Sequence, residues 1–141
     1  MKKIFTYTLC LGLMSLYLLL ISSCTKDSGP HVLSDPNDSL SLSNDIQPIF
    51  TQNCVRCHGG FAPQSNMNLE DGKSYNSIVN VSAFSYSGIR VKPFSADSSV
   101  LWNKDAGTGV YGQQMPPGGP YLQAFEIDYI KKWINQGAKN N

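Results

Sequence analysis

Cys54-Val55-Arg56-Cys57-His58-Gly59-Gly60 is the stretch on which the reading of this chain turns. Two cysteines separated by two residues sit one helical turn apart, and a histidine follows the second directly. The spacing C-x-x-C-H fits covalent attachment of a c-type haem. Each thiol can add to one vinyl group on the porphyrin edge, and the adjacent imidazole then lies beneath the iron as proximal ligand. Gly59 and Gly60 let the chain turn away without a side chain meeting the macrocycle. Other readings share these residues. A thioredoxin-like pair expects a strand before it and a long helix after it, and the pattern offers neither. A structural zinc site takes four ligands, whereas the folded part offers only Cys54, Cys57 and His58, because His31 falls in a linker. A disulfide across so short a gap staples almost no chain. Chance occurrence of the pentapeptide is the remaining alternative.

Upstream, Met1-Lys2-Lys3 and the apolar run Leu9 to Ile21 have the layout of an export signal. The run follows Thr8, is broken by Gly12 and Ser15 and is marginal as a permanent membrane span. Ile21-Ser22-Ser23-Cys24 resembles a bacterial lipobox, in which the cysteine takes a diacylglycerol thioether and becomes the mature N-terminus. The alternative is an ordinary cleaved signal with a coincidental cysteine. The expectation is therefore a signal peptide over 1–23 and lipidation of Cys24. A polar tether follows over 24–43, rich in Ser, Asp, Asn, Pro and Gly and too poor in apolar residues to order itself. Cys10 leaves with the signal. So do Lys2 and Lys3, after which nine Lys and Arg face ten Asp and Glu. No basic run exceeds Lys131-Lys132, which argues against nucleic acid as a partner.

The folded domain is expected over 44–141. Asn44 or Asp45 can cap a short helix from Ile46 to Thr51, with Pro48 in its first turn and Ile46, Ile49 and Phe50 turned inward. Phe125, Ile127, Ile130, Trp133 and Ile134 recur at helical spacing between Ala124 and Gln136, and Gly137 supplies the stop. Short helices are expected within Gly72 to Val79 and Ser95 to Trp102, and a short extended piece at Ile89 to Val91. Gly107 to Pro120, with five glycines and three prolines, cannot be regular. At roughly 95 residues such a core is small enough that a bound cofactor matters to its stability.

After processing, Met67 and Met115 are the remaining methionines. Met115 lies in Gln113-Gln114-Met115-Pro116-Pro117-Gly118, a loop stiffened by prolines, which also remove backbone donors that would face an apolar macrocycle unpaired. Met115 is favoured as distal ligand, and Met67 as packing beside Leu69 along one edge. Arg90 has two open readings, a partner for a haem propionate or an exposed surface arginine.

The order C-x-x-C-H-G, Met67-Asn68-Leu69, Arg90-Val91-Lys92-Pro93 with Ser99-Val100-Leu101-Trp102, Met115-Pro116-Pro117 and Trp133-Ile134-Asn135-Gln136-Gly137-Ala138 resembles the small class I c-type cytochrome domains. It is most similar to the planctomycete-type and related lipoprotein cytochromes, over Asn44 to Ala138. The resemblance implies a mostly α fold, with crossing N- and C-terminal helices and a loop-rich middle wrapping one covalent haem c. It also implies His58 as proximal ligand and Met115 as distal ligand. Gln123 stands where that family usually carries a Ser or Thr helix cap, a weakening of about 1 kcal/mol at most. Two occupied axial positions disfavour activation of oxygen or peroxide and suit one-electron transfer. The expected partners are redox proteins and, through the lipid, a membrane; the expected place is the cell envelope, with Thr25 favouring the outer membrane. The alternatives are a peroxidase or gas-reactive haem protein with a labile distal ligand, and an accessory haem subunit of a larger exported enzyme complex.

Overall fold

The computed structural model describes residues 38–141. The expected signal, Cys24, His31 and most of the tether lie outside the described residues. Within them the architecture is mostly helical and has no strands. Ser41 opens the first segment: its Oγ accepts the Asn44 amide at 3.3 Å, while its own amide donates to Asp45 Oδ2 at 2.7 Å. A π-helical turn, Leu42–Ile46, runs directly into α1, Gln47–Asn53, with Pro48 in the first turn as its missing amide allows. Short helices α2 (Ser74–Ile78) and α3 (Val100–Asp105) follow, with 3₁₀ turns at Gln64–Asn66 and Ala96–Ser98. The long α4 spans Ala124–Asn135.

The core joins the two ends of the domain. Ile46 and Phe50 from the first helical segment, and Ile130, Trp133 and Ile134 from α4, are all fully buried in one cluster with Leu69, Ile78 and Val91. The turn Leu42–Ile46 packs against α4. Of the five residues in the apolar stripe expected on α4, Phe125 is instead 44% exposed, and the buried side of the first turn is completed by Glu126. Gly137 ends the helix at φ +103, where its amide reaches the Ile134 carbonyl and the Ala138 amide reaches that of Trp133.

The domain begins before Asn44. Leu40 and Leu42, read from sequence as isolated apolar residues of the tether, are 1% and 5% exposed. The Gln136 side chain holds this entry by accepting the Leu40 amide and donating to the Asp38 carbonyl. Two leucines spaced by one residue carry no helical period, so only their packing partners reveal them.

The middle is loop-rich. Ile89 to Val91 forms the expected extended piece, held by isolated bridges from Val91 to Val79, and from Ile89 to both Ser82 and Ser99. It runs between its neighbours as a small bridged seam. Residues 107–120 form turns without helix or bridge.

Candidate functional site

The C-x-x-C-H stretch continues α1 as a tight turn. The Cys54 and Val55 amides donate to the Phe50 carbonyl, and the Cys57 and His58 amides both donate to that of Cys54. Packing of Phe50 in the core therefore fixes where this turn starts. Gly59 is needed here for a different reason from the one expected: a Cβ at this position would lie 2.7 Å from the Val55 carbonyl oxygen. The turn's own backbone excludes a side chain. Gly60, at φ +75, donates its amide to Glu70 Oε1 at 3.0 Å. Glu70 also takes bonds from Lys73 and Asn68, and with these donors, Lys73 foremost, its carboxyl is held at about 2.

Cys54 and Cys57 are both free thiols. Burial, then the nearby Asp105 and Glu126 carboxyls, push the Cys54 thiol up to about 12, so it stays protonated at neutral pH. The His58 ring places Nδ1 3.0 Å from the Gln64 carbonyl oxygen. A carbonyl can only accept, so Nδ1 carries the proton and Nε2 keeps its lone pair. Burial lowers the His58 pKa, with the Arg90 charge adding to the effect, against the opposing influence of the Gln64 and Met67 backbone carbonyls. The neutral imidazole that a metal ligand requires is thereby favoured.

A single cavity of about 840 Å³, counted out to its open mouth, is lined by Cys54, Cys57, His58, Met67, Leu69, Arg90 and Met115, with Pro116 and Pro117 beside the last. The Met115 loop is anchored to the end of α3. The Met115 amide donates to the Lys104 carbonyl at 3.0 Å, and Gln114 Nε2 to the Asp105 carbonyl at 2.8 Å. Lys104, buried despite its charge, donates to the Tyr111 carbonyl and the Tyr86 hydroxyl. Phe84 and Tyr86 line the same cavity, yet Phe84 is 68% exposed.

Every cavity residue singled out from sequence thus reaches one place: the two thiols, His58, Met115 and Arg90. Met67 reaches it too, packing against the core that holds Leu69. Arg90 is not a surface arginine; it is 7% exposed, and it donates to the carbonyls of Ser65, Asn66 and Ser77. Sequence reasoning missed Asp105, a cavity-lining carboxyl with one oxygen, Oδ2, buried and without a hydrogen-bond partner. Burial pushes it up to about 8, against the pull of Lys104. Asn103-Lys104-Asp105 reads as a solvated helix end, and no residue in the run signals that all three are buried.

Among the described residues no three His, Cys, Asp or Glu side chains gather as a metal-ion cluster, and no helix is long and apolar enough to cross a membrane. No family model, curated protein or solved structure matches the chain.

Proposed function

We propose that this chain is a monohaem c-type cytochrome that carries single electrons. The observation that carries the reading is the convergence of both thiols of the C-x-x-C-H turn, His58 and the Met115 loop on one cavity. The residues fit the group. Two free thiols one turn apart suit two thioether bonds, and the His58 tautomer leaves Nε2 available. A largely apolar wall suits a macrocycle, and the unpartnered Asp105 oxygen marks the cavity as a place where a polar group is still to be met. In this reading Cys54 and Cys57 hold haem c covalently, His58 is the proximal ligand and Met115 the distal one. Bound there, the haem supplies an iron that cycles between ferrous and ferric with a potential raised by a thioether ligand.

The chain's own residues do the rest. The Phe50 and Cys54 carbonyls hold the attachment turn, the Gln64 carbonyl orients His58, and the end of α3 presents Met115. The mostly helical architecture, with the first helical segment packed on the last, supports the small class I cytochrome c fold. A protein filling both axial positions from its own side chains is read here as a carrier rather than an enzyme. Lipidation at Cys24 would tie it to a membrane of the cell envelope, in our reading the outer one, where it meets donor and acceptor proteins. Two acyl chains or more give stable anchoring.

The test is expression of the exported chain together with haem-maturation machinery. A covalently coloured product is expected, lost in Cys54→Ser/Cys57→Ser, with Met115→Ala changing the axial-ligand spectrum. A colourless product with both thiols open to alkylation would refute the reading. Unchanged ligation in Met115→Ala, with rapid uptake of added carbon monoxide by the wild type, would point instead to a gas-reactive or peroxidase site.

A further inference from the structure

The loop Gln64–Asn66 has a feature that local sequence does not support. Ser65 and Asn66 lie at φ 57 and 50, two consecutive non-glycine residues in the left-handed region. L-residues visit that region singly and at a cost, so such a pair persists only when its surroundings hold it. Two sets of contacts do so. On one side the Gln64 amide donates to the Cys57 carbonyl at 3.0 Å, and the Gln64 carbonyl receives His58 Nδ1. On the other side stands a single guanidinium. Arg90 Nη2 donates to the Ser65 carbonyl at 2.8 Å, and Nη1 to those of Asn66 at 3.1 Å and Ser77 at 2.7 Å. All of these bonds go to carbonyls and none to a carboxylate. The arginine itself is fixed at its base: its amide donates to the Val81 carbonyl and its carbonyl accepts the Leu101 amide. The bridged segment thus presents a planar fork to two successive loop carbonyls, of Ser65 and Asn66, and to one in α2, of Ser77.

We propose that Arg90 is a positioning residue for the His58 imidazole, holding the strained 64–66 loop so that the Gln64 carbonyl stays on Nδ1. The inference rests on the reading of His58 as the proximal ligand and assigns to this chain the residue that tunes it. A hydrogen bond to the outer ring nitrogen fixes the tautomer and ring orientation and raises ligand basicity, and loss of such partners typically weakens a site by about 10–100-fold. Lysine keeps the charge but cannot reproduce the fork. Charge and geometry can therefore be separated by one substitution.

The experiment uses the haem-loaded protein in its reduced, diamagnetic state and follows the His58 Nδ1 proton and the Arg90 Nη protons by NMR. In the wild type, the Arg90 Nη protons are expected to exchange at least about tenfold more slowly than those of exposed Arg56, each charge-assisted bond being worth about that factor or more. In Arg90→Lys the His58 Nδ1 proton should exchange about tenfold faster and the reduction midpoint should rise, since a less basic imidazole favours the ferric state less. Adding Ser65→Gly and Asn66→Gly to Arg90→Lys should restore part of the protection, because glycine adopts positive φ without the steric penalty the clamp offsets. Arg90 protons exchanging as fast as those of Arg56 would overturn the proposal, even if no variant folds. So would an Arg90→Lys protein with unchanged Nδ1 exchange and midpoint, or equal acceleration in Leu122→Ala, a substitution of a buried core residue outside the cavity. A product with free thiols and no haem would instead refute the cofactor reading.

Discussion

Asp105 is the side chain whose environment departs furthest from what its type prefers. Its carboxyl is buried with one oxygen unpaired, and burial raises it from the ordinary range near 3.8 to about 8. The native state therefore holds a proton that the unfolded chain has released across that interval. Stability should be highest below about pH 4 with respect to this group and fall as pH climbs to about 8, then level off. Asp105→Asn, which keeps the shape and removes the charge, should flatten this slope; chemical denaturation across pH 4 to 9 measures it. A variant whose pH profile overlays that of the wild type would show that the carboxyl finds a partner in solution. The two cavity methionines separate in the same way. Met67→Leu should leave the axial-ligand spectrum unchanged and cost less than about 1.5 kcal/mol as a volume-conserving core swap, whereas Met115→Ala should alter the ligation.

Among the elements, the Met115 loop depends on one close approach. A Cβ on Gly107 would stand 2.6 Å from the Gln114 side-chain oxygen, and Gly107 lies at φ +64. Gly107→Ala should push Gln114 off the end of α3 and free Met115, giving faster binding of carbon monoxide to the reduced haem-loaded protein; unchanged binding would show that the Lys104 carbonyl alone suffices. At the start of α4, Gln123 and Glu126 form a reciprocal capping box where the family usually carries Ser or Thr: Glu126 Oε2 accepts the Gln123 amide at 2.7 Å, and Oε1 also accepts the Asn53 side chain at 3.1 Å. It thereby ties the first turn of α4, with the capping residue before it, to the last residue of α1. Glu126→Ala should cost about 1–3 kcal/mol, read from urea midpoints, because two partly buried donors lose their charged acceptor.

The extent of the domain is a property of the whole packing. A chain beginning at Asn44 loses Leu40 and Leu42 from the core and the two bonds to Gln136. Leu40→Ala alone should cost about 2–5 kcal/mol, as for buried leucines generally, and the shorter chain more. Equal thermal stability of the two would restore Asn44 as the boundary. The buried polar contacts act over the same distances: Gln47 accepts from Ser74 at 2.6 Å and donates to the Leu69 carbonyl at 2.8 Å, joining α1, the segment beyond the attachment turn and α2.

Local pattern was enough for α4 and α1, because apolar side chains at a 3.6-residue period and a Gly stop act within one turn of helix. It was enough as well for the C-x-x-C-H turn and the irregular Pro-Gly loop, whose residue types dictate their own backbone. It could not reveal that Leu40 and Leu42 belong to the core, that Gly59 is demanded by the Val55 carbonyl, or that Glu126 caps its helix while bonding to α1. Nor could it place Arg90 on three carbonyls or Asp105 inside a cavity. The Gly59 approach lies within one turn but depends on the geometry that turn takes up in the fold; the others depend on atoms brought together from distant positions in the chain, and burial and pairing across such distances exist only once the chain has folded.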